Sequence, residues 1–227
     1  MRKPSREEII HILLETQPLS FAHRLGIPIE DGSTVSLFRL LCISLLYASP
    51  ATDAALLQAE ELFIERDWTN PQFLYRSTFE ERLNALETAD VVIFDERERY
   101  ARWLGELAGE MIFRYAGDLR ALRQAARQDT QTERKLLHEL KGMNDASVDF
   151  FSREVQVAWC EQFPFVNGAA LAAALQLNIG ESVEDLSRQV PALDFPRLAL
   201  ALEQVERSCS YEDIRRKASE LRLAARS

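Results

Sequence analysis

Between two apolar runs the chain reads Leu140-Lys141-Gly142-Met143-Asn144-Asp145, and no other stretch limits the fold so strongly. Glycine and asparagine enter the left-handed backbone region at little cost, so Gly142 and Asn144, one residue apart, predict a chain reversing sharply between helices. Leu140 and Met143 are apolar and anchor the turn to a core, which leaves the peptide groups of 141 to 145 facing outward. Exposed amides at the start of a helix attract phosphate. The flanking helices are expected to start at Thr130, with Glu133 completing a capping pair, and to run from Ala146 to Cys160. Phe163-Pro164-Phe165-Val166-Asn167-Gly168 then breaks the chain before a third helix, Ala169 to Leu177.

Elsewhere only 8 Gly and 8 Pro punctuate 227 residues, and apolar side chains recur at three- and four-residue steps, so the expected class is all-α. Ser5 with Glu8 reads as a capping box opening a helix to about Thr16, and a short helical turn from Phe21 ends at Gly26. Thr34 to Ala48 is apolar on almost every side yet too short for a bilayer, which makes it the central buried helix. Pro50 is expected at the first position of the next helix, where a missing N–H costs nothing. Asn70 with Pro71, Ser77 with Glu80, and Asp95 open three more, the last running to Gly117. Ser182 with Asp185, Asp194 with Pro196, and Ser210 with Asp213 mark helix starts towards the C-terminus.

Composition narrows the function. A net charge of −9 and a pI near 5.0 count against strongly electrostatic nucleic-acid binding, because Lys and Arg on phosphate supply most non-specific affinity. Charge is local, however, and Arg134, Lys135, Lys141 and Arg153 are expected around the turn, among Glu133, Glu139, Asp145, Asp149 and Glu154. No apolar run reaches the length of about 18 residues needed to span a membrane. The first residues lack the apolar stretch of a signal peptide, so the expected location is cytoplasmic. Cys42, Cys160 and Cys209 read as reduced, buried thiols, and His11, His23 and His138 have no metal-ligand spacing, so no metal site is expected. Trp68, Trp103 and Trp159 sit at apolar helical steps and read as core.

These markers together resemble the helix-hairpin-helix (HhH-GPD) superfamily of endonuclease III-like DNA glycosylases, whose hairpin reads roughly L-P-G-V-G-x-K-T-A. Leu140, Gly142 and Met143 match that pattern, and Asn144 replaces its second glycine. Ala51-Thr52-Asp53, followed by Ala59, Leu62 and Phe63, is similar to the family's S-x-Q-x-T-D helix start, with Pro50 where its gap-filling glutamine stands. Tyr115-Ala116-Gly117-Asp118-Leu119 resembles the Y-G-G-x-[VL] stop before the hairpin. Usable markers cover residues 33 to 178. The resemblance implies a two-lobed helical fold: residues 1–32 pack with a C-terminal lobe of 163–227, and 33–162 form a barrel lobe carrying the helix-hairpin-helix at about 131–160. It implies double-stranded DNA, damaged or distorted, as partner. The contacts would come from Lys141, Gly142, Met143, Asn144 and Asp145, with Arg134, Lys135 and Pro50 beside them. A sodium or potassium ion held between hairpin carbonyls and a DNA phosphate follows from the same resemblance. The iron–sulfur cluster of many members does not, because three scattered cysteines cannot form its four-cysteine loop.

The same alignment empties the reaction centre. The family's Schiff-base lysine falls on Ala146, and its essential aspartate on Asn167. A lyase needs an amine nucleophile, and a glycosylase needs charge facing the sugar as the extruded base departs. Alanine and asparagine supply neither, and Asn167 before Gly168-Ala169-Ala170 also reads as a plain N-cap. Three functions stay open: a DNA-binding protein of base-excision repair type with absent or altered catalysis, a protein-interaction module on a retired glycosylase fold, and an active glycosylase whose acid is Asp145 or Asp149.

Overall fold

The computed structural model describes residues 3–49, 51–92 and 96–224. Among them lie fourteen α-helices and no strand. They are α1 (Arg6–Thr16), α2 (Phe21–Arg24), α3 (Thr34–Tyr47), α4 (Asp53–Glu65), α5 (Pro71–Arg76), α6 (Phe79–Thr88) and α7 (Arg97–Tyr115). There follow α8 (Leu119–Ala125), α9 (Thr130–His138), α10 (Asp145–Val155), α11 (Gly168–Leu177), α12 (Val183–Ser187), α13 (Phe195–Ser208) and α14 (Tyr211–Ala224). None of these helices is long and apolar enough to cross a membrane. Two compact units divide the chain, one of residues 22–161 and one of residues up to Phe21 with those from Gln162 onward.

In the unit of 22–161, α3 is the axis. Leu37, Phe38, Leu40, Leu41, Ile43, Leu45 and Leu46 point in several directions around it and all are buried, because α4, α7, α8 and α10 pack against it. Its one mid-helix hydroxyl, Ser44, is satisfied by the Leu40 carbonyl at 2.6 Å. Cys42 is buried on the same helix, and burial, with Glu60 second, pushes its thiol well above the usual range. The Arg82 side chain of α6 crosses to α7, donating to Ala101 O at 2.7 Å and to Ser77 O at 2.5 Å. Trp68 and Trp159 are core as expected, whereas Trp103 is only half-buried.

Several expected boundaries move. Thr52, not Pro50, precedes the first residue of α4, its hydroxyl accepting from Ala55 N–H; Pro50 itself lies outside the described residues, as does Asp95. The capping box of α6 is Thr78 with Glu81 rather than Ser77 with Glu80, and α9 is capped by Asp129 rather than Thr130. Residues 22–32 were expected with the C-terminal lobe, but they join the unit that follows them. Ala22 N–H donates to Glu154 at 2.9 Å, and Ile27 and Ile29 are buried where the short 3-10 turn Ile29–Asp31 packs on α3 and α10.

In the other unit, α1 carries the expected Ser5–Glu8 box and buries Ile9, Ile10, Ile12 and Leu13. The alanine face of α11, Ala170, Ala173 and Ala174, lets α13 come close with Leu198, Ala201 and Leu202. Arg197 of α13 donates to the carbonyls of Leu14 and Gln17, satisfying the C-terminal end of α1 that its own backbone leaves open.

Candidate functional site

The turn joining α9 to α10 is built tightly. Met143 N–H donates to Leu140 O at 3.1 Å, Leu140 and Met143 are buried, and Gly142 has φ +79°. The Gly142 backbone rests on α3 and α7: a Cβ there would stand 2.6 Å from Leu45 Cδ1 and 2.8 Å from Trp103 Cε3. Asn144 corrects the expectation of a second left-handed residue. Its backbone is extended, with φ −117°, and its side chain caps α10 by accepting from Ser147 N–H at 3.0 Å. An extended backbone is the usual one for an N-cap, because it turns the capping oxygen back onto the first free amides of the helix.

Carboxylates meet the outward side of the turn. Lys141 N–H donates to Glu110 Oε2 at 2.7 Å, and Lys141 Nζ lies 3.1 Å from Glu106 Oε2, both acids belonging to α7. Beside them Arg134 bridges Asp149 at 2.6 Å and Asp145 at 3.1 Å, and His138 Nε2 lies 3.2 Å from Asp145. Lys135 is exposed and has no ion pair among the described residues. Two other charges expected here lie elsewhere. Arg153 is buried against Glu154 and stacked 4.9 Å from the Phe150 ring centroid. Glu133 is buried beside Glu161; burial raises the proton affinity of Glu161, but hydrogen bonds donated by Arg123 and by its own backbone N–H outweigh it and hold Glu161 below the usual range.

Next to the turn runs an open groove of about 460 Å³, lined by Glu98, Arg99, Arg102, Trp103, Glu106 and Lys141. The Arg99 guanidinium lies 4.8 Å from the Trp103 ring centroid, a cation–π distance. The residues of α7 that approach the turn, Trp103, Glu106 and Glu110, carried a signal: their spacing puts them on one face of a helix. Nothing in the spacing said which turn that face would meet.

The two positions that the resemblance aligns with reacting side chains are structurally ordinary. Ala146 is exposed in the first turn of α10 and offers a methyl group only. Asn167 is the N-cap of α11, accepting from Ala170 N–H at 2.9 Å, and it belongs to the unit that does not contain the turn. Asp145, with its side chain 86% exposed, and Asp149 both end in ion pairs with Arg134. Of the three cysteines expected to be buried only Cys42, within α3, is so; Cys160 and Cys209 are exposed, Cys160 beyond the end of α10 and Cys209 at the end of α13. Among the described residues no group of three or more His, Cys, Asp or Glu is placed to hold a metal ion.

No family model matches the sequence, and no curated protein matches it. The fold does have relatives among solved structures. A non-covalent endonuclease III–DNA complex is similar with a TM-score of 0.51 at 17% identity, over 81% of this chain and 85% of that one. A trapped endonuclease III–DNA covalent intermediate, in an estranged-adenine complex, has a TM-score of 0.47 at 17% identity, over 73% of this chain and 71% of that one. The chain therefore has an endonuclease III-like, all-α fold.

Proposed function

We propose that this chain is a DNA-binding protein of base-excision repair type whose turn at 140–145 takes a backbone phosphate, and whose reaction centre has lost both reacting side chains. The observation that carries the reading is the Lys141 amide, which already holds an anion, the Glu110 carboxylate, at 2.7 Å. A phosphate oxygen makes the same charge-assisted hydrogen bond. Support also comes from the likeness to an endonuclease III structure solved with DNA. Lys135 and Lys141 would steer the strand, Gly142 and Met143 would keep the turn flush with it, and Arg134 would swing from its two aspartates to a phosphate. A sodium or potassium ion bridging turn carbonyls to that phosphate belongs to this reading.

Catalysis is then weak or altered. An amide at 167 carries no net charge, and losing one preorganised electrostatic group costs about 10² to 10³ in rate. The carboxylates over the turn and the net charge of −9 favour a second reading, a protein-interaction module on the same fold. Titration of a labelled duplex containing an abasic-site analogue, at low and at moderate salt, separates the two. Binding that weakens as salt rises supports the first. No binding at low salt leaves the second, and release of base from lesion-bearing DNA by the pure protein would show a working acid in place of Asn167, with Asp145 and Asp149 the first to substitute.

A further inference from the structure

Resting on the DNA-binding reading, we infer that Glu110, aided by Glu106, sets the affinity of the turn by occupying its anion site in the free protein. The two carboxylates rise from neighbouring turns of α7 and take both donors of one residue: Glu110 holds the Lys141 amide at 2.7 Å, and Glu106 holds the Lys141 ammonium at 3.1 Å. An incoming phosphate needs the same two donors, so it binds only by displacing them. Displacement is feasible because Glu110 is only partly covered and Glu106 is exposed, so both carboxylates can return to water. It is also opposed, since a displaced Glu110 leaves a like charge within a few ångströms of the phosphate. The turn is thus set to reject weakly held anions and to accept a strand that brings several phosphates at once. Such a filter explains how an acidic chain can keep a phosphate-binding turn without being titrated by small anions.

Glu110→Ala and Glu110→Gln test this, with Glu65→Gln as the control. Glu65 is exposed at the C-terminal end of α4 and lines neither the turn nor the groove beside it. The readout is binding of the labelled abasic-analogue duplex, after thermal unfolding has shown each variant folded. Glu110→Ala is expected to bind roughly five- to tenfold more tightly than wild type, Glu110→Gln by a smaller factor because it keeps an acceptor, and Glu65→Gln within about twofold. Binding by Glu110→Ala but not by wild type supports the inference more strongly still. If wild type binds and Glu110→Ala binds no more tightly than Glu65→Gln, the inference is wrong while the DNA reading stands. If neither wild type nor Glu110→Ala binds at low salt, the DNA reading fails and takes the inference with it.

Discussion

The Trp103 indole fills the space where a side chain on residue 142 would have to go. A Cβ at Gly142 would lie 2.8 Å from Trp103 Cε3 and 2.6 Å from Leu45 Cδ1, and its φ of +79° is one that side-chain-bearing residues avoid. Gly142→Ala should therefore lower unfolding stability by about 2 to 4 kcal/mol, combining backbone strain with overpacking. Chemical denaturation reads this directly, and a loss below about 0.5 kcal/mol would mean the turn is not held against α3 and α7. Weakened DNA binding in this variant would report a damaged turn, so substitutions at Glu110 are the cleaner probe of the site.

Glu60 of α4 supplies a pH dependence. Its side chain is 1% exposed, it is paired with Arg39 of α3, and its Oε2 has no hydrogen-bond partner. Burial pushes its carboxyl from 4.5 up to about 7 against the pull of Arg39. Because the folded state holds the proton more tightly than the unfolded one, stability from this group is fully present below about pH 4.5. It falls as pH rises, levelling above about 7. The difference in unfolding free energy between wild type and Glu60→Gln should drop by up to about 3 kcal/mol from pH 5 to pH 8. A difference constant over that range would show that Glu60 stays ionised throughout.

Gly105, in the middle of α7, invites a stabilising Gly→Ala exchange on helix propensity alone, worth about 1 kcal/mol. The position forbids it. A Cβ there would stand 2.7 Å from the Arg82 guanidinium carbon, and Arg82 is buried with its donors committed to Ala101 O and Ser77 O. Moving it strands the buried guanidinium donors of Arg82 away from these acceptors, at about 1 to 3 kcal/mol each, so Gly105→Ala should be net destabilising. A variant more stable than wild type in urea would show that Arg82 yields freely.

The all-α class was legible because period and punctuation are local properties, but α8 (Leu119–Ala125) went unread and cap register was not fixed. Ser77-Thr78-Phe79-Glu80-Glu81 satisfies the capping-box pattern in two registers. The structure uses Thr78 with Glu81, since the Ser77 hydroxyl donates to Leu74 O and its carbonyl accepts from Arg82. In the same way Glu133 fits a capping pair by spacing yet turns inward towards Glu161, leaving the cap to Asp129. At the site, Gly142 could be read because a positive φ restricts residue type. Glu110 could not, because it meets Lys141 from 31 residues away through the packing of α7.

Asn167 offers a separation of structure from chemistry. As the N-cap of α11 it accepts from Ala170 N–H at 2.9 Å, a bond that an aspartate makes equally well and an alanine cannot make. Asn167→Ala should therefore cost about 1 kcal/mol, whereas Asn167→Asp should be neutral or gain a few tenths from its charge at the helix N-terminus. Thermal unfolding near pH 7 checks both. The aspartate variant then presents a carboxylate at the position where the family resemblance places its acid, on an undisturbed helix. Base release measured on lesion-bearing duplex with that variant asks whether charge is what the wild-type centre lacks. A gain of about 100-fold or more, of the size expected for a restored electrostatic group, would identify residue 167 as a silenced reaction position. An unchanged rate with the cap intact would make Asn167 a capping residue and nothing more.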